Sequence, residues 1–200
     1  AASSEDVPFP GEKGEAFAKA LEGLQGTVSI REKKLADYVA QLTGKAYPVV
    51  LDPTLLLTAE QWSGMANMPE GYPVGAHEDG RGYILCYCIN KPGALSAYIE
   101  RLAAETGLPV VQLCGIRQKV HPKAQCIFDA GPAEFLGLFK NATYVCTNSF
   151  HGTAFAIHYK KDFFLEMSSL TNSRLEQIVE ITETQHRVVG PNCDPAPIDY

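Results

Sequence analysis

Residues 143–159 read TYVCTNSFHGTAFAIHY, and this stretch decides the fold class. Its first five residues are β-prone, and the next two, Asn148 and Ser149, are strong helix N-cap residues. The residues from Phe150 to Tyr159 continue as an apolar helix. A strand that runs directly into a capped helix is typical of βαβ units, so this stretch predicts a parallel sheet.

The same alternation extends over most of the chain. Strand patterns lie at 27–30, 48–51 (predicted to be buried), 83–89, 109–113, 126–128, 143–147 and within 162–167. Helix patterns lie at 17–24, 35–42, 95–102, 150–159 and 175–179, and the first three end at Gly26, Gly44 and Gly107. Two further helices are predicted to begin at a capping box at Thr58 and at Gly131-Pro132. Together they predict a Rossmann-like α/β fold, a parallel sheet with helices on both faces. We expect a linker and short helix over residues 1–26, this domain over 27–190 and a tail over 191–200.

Composition excludes several functional classes. The 200 residues have a formal net charge of −6, which argues against nucleic-acid binding because phosphate neutralisation needs a basic face. No apolar run approaches the roughly 18 residues that a membrane helix needs, and the first residues do not resemble a signal peptide. Six cysteines without a Cys-x-x-Cys pair predict reduced thiols in a cytoplasmic protein.

In parallel α/β sheets, ligands bind at the carboxyl ends of the strands. This rule selects six sets of candidate site residues, which are Arg31, Asp52, Asn90–Gly93, Gly115–Arg117, Gly131–Glu134 and Asn148–Thr153. Arg31 follows the strand pattern at 27–30, and a guanidinium group can hold a phosphate or carboxylate with two hydrogen bonds. The alternative for Arg31 is a surface ion pair with Glu32 or Asp37.

His151 lies in the first turn of the helix that begins after Ser149. A helix N-terminus offers N–H groups and partial positive charge, and Gly152 allows a ligand to approach the backbone. The pattern therefore favours an anion site in which His151 donates or accepts a proton. The alternative is a capped helix that carries a surface histidine.

Two carboxylates have a similar ambiguity. Asp52 could orient a histidine or bind a sugar hydroxyl, but it could also cap an Asx-type turn. Glu134 could bind a sugar hydroxyl or complement the dipole of its own helix. His151 and His158 have no third ligand at metal-binding spacing, so we expect no metal site.

Five blocks in order over residues 28–174 resemble the polysaccharide pyruvyl transferase family. They are VSIRE at 28–32, DPTLLL at 52–57 with Trp62, GPAEFL at 131–136, residues 141–155 with their TNSFHGTAF core, and NSR at 172–174. The resemblance implies one half of a B-type glycosyltransferase fold. It identifies this chain with the C-terminal half and implies that an N-terminal half of the same protein is its partner.

The resemblance also implies a reaction, the transfer of a pyruvyl group from phosphoenolpyruvate to a hexose of a surface polysaccharide or its lipid-linked precursor, forming a ketal. It assigns acid/base catalysis to His151 and donor binding to Arg31. The remaining substrate-binding residues are then Ser149, Asn148, Gly152, Thr153, Asp52, Gly131 and Glu134. Phosphoenolpyruvate is the donor substrate, and neither a cofactor nor a metal is expected. One departure is that many members carry Arg-Leu-His-Gly where this chain has residues 149–152.

Two other functions remain open. A nucleotide-sugar glycosyltransferase would place Gly131–Glu134 at the ribose and diphosphate, and binding of UDP or CMP would favour it. A non-catalytic ligand-binding module of a polysaccharide pathway is the other. For the pyruvyl transferase, the expected partners are phosphoenolpyruvate and a glycan acceptor that can be membrane-linked, and not nucleic acid.

Overall fold

Six strands form one parallel sheet. A computed structural model describes residues 11–69, 82–114, 118–167 and 172–191 of the chain. The strands are β1 (Ile84–Cys88), β2 (Val110–Cys114), β3 (Gln125–Ile127), β4 (Tyr144–Thr147), β5 (Asp162–Glu166) and β6 (Val188–Val189). This confirms the Rossmann-like α/β fold.

The order of the strands creates a crevice. In space they run β3-β2-β1-β4-β5-β6, so the chain builds outward from β1 in one direction and then from β4 in the other. β1 and β4 are neighbours, with Tyr87 opposite Thr147. The connections that leave these two strands diverge, and ligands of such sheets bind at this switch point.

Helices cover both faces of the sheet. The helices of the described residues are α1 (Glu12–Glu22), α2 (Lys33–Thr43), α3 (Ala59–Ser63), α4 (Ala94–Thr106), α5 (Pro132–Asn141), α6 (Phe150–His158) and α7 (Asn172–Ile181), of which α1 and α2 pack against each other in the segment before the sheet. The predicted stops at Gly44 and Gly107 are confirmed, because both residues adopt the left-handed conformation that ends a helix. The capping box at Thr58 and the proline start of α5 are confirmed as well.

The core consists of one layer on each side of the sheet. Along β1, Leu85 faces the layer that contains Phe139 and Phe155, while Cys86 faces the layer that contains Ile99. A smaller cluster joins α1 to α2. Because both sheet faces are covered, the strands are almost uniformly apolar, as expected for a parallel sheet.

The predicted strands at 27–30 and 48–51 are wrong. These segments form a single parallel bridge, Ile30 to Val49, outside the six-stranded sheet. The segment 48–51 is also not buried, since Val49 and Leu51 are 46% and 48% exposed. Their β-branched residues favour extended backbone, but the local pattern does not reveal that the two segments pair only with each other.

Other differences are small. Helix α1 ends at Glu22 with Gly23 as its cap, not at Gly26. The two-residue strand β6 was not predicted, because it is too short to leave a periodic pattern. Residues 1–10 of the expected linker, the candidate site residues 115–117 and residues 192–200 of the expected tail lie outside the described residues.

Candidate active site

The turn between β4 and α6 places His151 at the switch point. Asn148 links the ends of the two central strands, since its Oδ1 accepts from Ile89 N at 2.8 Å and its Nδ2 donates to Asn90 O at 2.9 Å. Ser149 caps α6, accepting from Gly152 N at 3.4 Å. His151, in the first turn, is half-buried. The turn is therefore fixed at both ends, and this holds the imidazole at the crevice.

The next two residues pack against the interior. A Cβ at position 152 would collide with Thr147 Oγ1 and approach the Tyr87 ring, so glycine is required there by packing. Thr153 is fully buried and donates its hydroxyl to Ser149 O at 3.0 Å. The N–H groups of Gly152 and Thr153 both bond to Ser149. We therefore assign these two residues no ligand contact.

Arg31 lies in an ion-pair cluster with two buried carboxylates. Its Nη1 pairs with Asp52 Oδ2, and its Nε lies 3.2 Å from Glu32 Oε1. The Arg31 side chain is 18% exposed, whereas both carboxylates are 2% exposed. The guanidinium is thus held at the rim of the crevice, with its charge largely compensated by its own neighbours.

Asp52 has the capping role that the sequence offered as its alternative, and it also pairs with Arg31. It caps the turn Pro53–Leu55, accepting from Thr54 N at 2.9 Å and Thr54 Oγ1 at 2.7 Å. Burial alone raises the pKa of its carboxyl, but the Thr54 hydrogen bonds and the charges of Arg31 and His151 outweigh it. The pKa of Asp52 is therefore lowered. The structure brings Arg31, Asp52 and His151 together from distant parts of the sequence.

Arg174 and Glu32 were not predicted as site residues. Arg174 Nε lies 3.8 Å from Glu32 Oε1, so one buried carboxylate oxygen lies between two arginines. Burial lowers the pKa of the Arg174 guanidinium. The sequence block at 172–174 contained this residue, but its spacing of 142 residues from Glu32 gives no local signal of the pairing.

Two cavities meet at His151. The basic cavity, about 170 Å³, is lined by Tyr87, Ile89, Ser149, Phe150, His151, Arg174 and Leu175. The aromatic cavity, about 450 Å³, is lined by Trp62, Tyr87, Ala130, Gly131, Pro132, Phe135, Leu136, His151 and Phe155. His151 and Tyr87 line both. Burial raises the pKa of Tyr87, although a hydrogen bond with the Ser149 side chain partly opposes this.

The start of α5 borders the aromatic cavity through Gly131. A Cβ at this position would lie 2.9 Å from Glu134 Oε2, because the Glu134 carboxylate folds back over the N-terminus of its own helix. Glu134 does not line either cavity at His151. Its placement fits the alternative that the sequence offered, a charge that complements the helix dipole.

Within residues 11–69, 82–114, 118–167 and 172–191, no three His, Cys, Asp or Glu side chains are grouped so that they could hold a metal ion. Over the same ranges, no helix has the length and apolar character needed to cross a bilayer.

The strand order defines a Rossmann-like α/β protein, and His151 and Arg174 line a cavity at its switch point. A family model described as polysaccharide pyruvyl transferase matches residues 1–165. The chain therefore belongs to the polysaccharide pyruvyl transferase family, as the sequence blocks indicated. No curated protein and no solved structure matches the chain.

Proposed function

We propose that this chain contributes the donor-binding and catalytic residues for transfer of a pyruvyl group from phosphoenolpyruvate to a hexose of a surface polysaccharide or its lipid-linked precursor. The product is a pyruvate ketal. The observation that carries the proposal is the position of His151, which lines both a cavity bordered by Arg174 and a second, larger cavity. One residue can thus contact a donor in one cavity and an acceptor in the other.

The donor is an anion with a phosphate and a carboxylate. Arg174 borders the basic cavity directly, and Arg31 and Arg174 both line the smaller adjoining cavity beside Phe150. Planar guanidinium groups suit both anionic groups of phosphoenolpyruvate. Arg174 therefore joins Arg31 in the proposed donor site. Many family members carry an arginine where this chain has Ser149, and here Arg174 supplies the positive charge next to His151.

The chemistry requires a proton donor and acceptor at one place. Two sugar hydroxyls add to C2 of phosphoenolpyruvate, and the C–O bond to phosphate breaks. One hydroxyl proton ends on the methylene carbon, which becomes a methyl group, and the other leaves with the phosphate. His151 is proposed to protonate the methylene carbon and then accept a hydroxyl proton. This scheme needs no cofactor besides the donor substrate.

We further propose that the reaction takes place in the cytoplasm on a glycan acceptor that can be membrane-linked, with an N-terminal half of the same protein completing the cleft. The thiols support the location: Cys86, Cys88, Cys126 and Cys146 are free. Cys86 and Cys146 lie opposite each other on β1 and β4 without forming a disulfide, which suits a reducing compartment.

The donor site is tested by titrating the chain with phosphoenolpyruvate, UDP and CMP while recording amide and histidine NMR signals. We expect phosphoenolpyruvate to shift the His151 ring and the amides beside it. Arg31→Lys keeps the charge opposite Asp52 but loses the planar fork, so the same shifts should require more ligand. Arg174→Ala should reduce them further.

The matched control is Lys34→Ala. Lys34 Nζ pairs with Glu176 Oε2 at 2.6 Å, so it also joins α2 to α7, but both side chains are exposed. This variant should bind phosphoenolpyruvate as the unaltered chain does. Shifts caused only by UDP or CMP would replace the proposal with nucleotide-sugar glycosyl transfer. Donor binding together with full pyruvylation by a His151→Ala variant of the intact protein would remove His151 from catalysis.

A further inference from the structure

Trp62 lines the aromatic cavity, and a capping box and a side-chain hydrogen bond hold it in place. Helix α3 has five residues, a length that is marginal by itself. A reciprocal capping box fixes its start: Thr58 N donates to Gln61 Oε1 at 2.9 Å, and Gln61 N donates to Thr58 Oγ1 at 3.3 Å. The indole Nε1 donates to Thr54 O at 3.1 Å. These contacts set the orientation of the ring.

The same carbonyl ties the tryptophan to the catalytic helix. His158, at the end of α6, has its Nε2 2.7 Å from Thr54 O and donates to it. The Trp62 ring also meets Phe155 of α6 edge-on, with centroids 5.2 Å apart. Trp62 is therefore fixed relative to His151, which begins the same helix. Such preorganisation is what a binding surface beside a reacting group requires.

The walls of the aromatic cavity differ in chemistry from those of the basic cavity. Aromatic rings dominate them, with Phe135 meeting both Tyr87 and Phe155 edge-on. Among the described residues, no Lys, Arg, Asp or Glu lines this cavity. Its volume of about 450 Å³ lies in the range of roughly 300–1,000 Å³ that is usual for ligand sites. An anion has no counter-charge here, whereas a neutral ring with an apolar face does have a complementary surface.

We infer that the aromatic cavity binds the hexose ring of the acceptor, with the apolar C–H face of the sugar against the aromatic wall and two hydroxyls directed to His151. This inference rests on the proposed function, which places the donor in the basic cavity, the other cavity that His151 lines. A pyranose presents both an apolar face and a set of hydroxyls, and the cavity provides aromatic rings on one side and a proton-transferring group on the other.

The chain provides its own reporter for this test. Trp62 is the only tryptophan in the 200 residues, so fluorescence excited at a wavelength that tyrosine does not absorb reports on the aromatic cavity. We would titrate the chain with the methyl glycosides of galactose, glucose and mannose. At least one of them should change the Trp62 emission in a saturable way and protect it from acrylamide quenching. Phosphoenolpyruvate binding is followed in the same samples through the His151 NMR signals.

Two variants locate the effect. Phe135→Leu removes an aromatic wall while keeping an apolar side chain, and it should weaken hexoside binding about tenfold, because aromatic contacts carry much of the energy at such sites. The control is Phe128→Ala, since Phe128 is 69% exposed and does not line the cavity. Unfolding curves show that each variant is folded. Trp62→Phe, followed by NMR, repeats the test if Phe135→Leu does not fold.

The outcomes separate this inference from the proposed function. If phosphoenolpyruvate binds and none of the hexosides does, the cavity is not an acceptor site, although the donor site stands. If a hexoside binds and phosphoenolpyruvate does not, the proposed function fails and the sugar site remains. Emission changes caused by uridine or UDP but by no hexoside would assign the cavity to a nucleobase. A Trp62 that acrylamide cannot reach in the intact protein would show that protein covers the cavity, which also overturns the inference.

Discussion

At the scale of single residues, buried ion pairs and close packing determine the candidate site. The sequence identified Arg31, Asp52 and His151 because each follows a predicted strand or begins a helix. It could not identify Glu32 or Arg174 as their neighbours, because ion pairing between distant segments leaves no local pattern. Gly152 has a packing reason that the sequence pattern did not show, because the missing Cβ makes room for Thr147.

Asp52 should make the stability of the chain depend on acidity. Its pKa is lowered in the folded state, so its stabilising effect is complete above its ordinary pKa and is lost as the pH falls through the folded value. Asp52→Asn should therefore lower the free energy of unfolding at pH 7 by about 1–3 kcal/mol. It should also leave a smaller loss of stability as the pH falls below 3.8, the ordinary pKa of an aspartate.

Urea unfolding at several pH values measures both effects. The control is Asp37→Asn, because Asp37 pairs with Lys33 four residues before it on the surface of α2. An exposed pair of this kind contributes about 0.3–0.5 kcal/mol. Equal losses in the two variants would show that the contacts of Asp52 with Arg31 and Thr54 add no special stability.

At the scale of elements, the sequence was most informative where a helix begins or ends. Gly44, Gly107, Thr58 and Pro132 act through backbone geometry and local hydrogen bonds, and all four mark a helix boundary in the structure. The segments at 27–30 and 48–51 failed because a strand needs a partner that the local pattern does not specify. Strand identity is thus a property of the sheet as much as of the segment.

The capping box of α3 should matter more for orientation than for total stability. Thr58→Ala removes the side chain that accepts from Gln61 N, at a cost of about 0.5–2 kcal/mol. Because Trp62 lies within the same helix, its emission should shift and its quenching by acrylamide should increase. Thr27→Ala, at an exposed position outside any helix, is the control. An unchanged Trp62 spectrum in Thr58→Ala would mean that the contacts with Thr54 and Phe155 orient the ring without the capping box.

At the scale of the whole molecule, the sheet and the segment before it should differ in local stability. β1 and β4 lie in the middle of the sheet and carry its most buried residues. The bridge between Ile30 and Val49 has two neighbouring backbone hydrogen bonds, Ile30 N to Pro48 O and Val50 N to Ile30 O. Segments with few buried contacts open more easily than core strands.

Amide hydrogen exchange under native conditions should show this order. The amides of Leu85 and Val145 should exchange only through global unfolding, whereas those of Ile30 and Val50 should exchange through local opening. Added denaturant separates the two cases, since it accelerates global opening far more than local opening. Equal denaturant dependence at all four amides would contradict the distinction and would make the bridge part of the cooperative core.

The ion-pair cluster has a consequence for how a ligand is captured. Arg31 and Arg174 are matched by Glu32 and Asp52, so these four groups sum to zero at neutral pH, in a chain with a formal net charge of −6. These four groups therefore give a multiply charged anion arriving from solution no net long-range attraction. Its association should proceed without electrostatic steering and should slow little as salt is added. Selection then takes place after contact, where the guanidinium groups must exchange one set of oxygens for another.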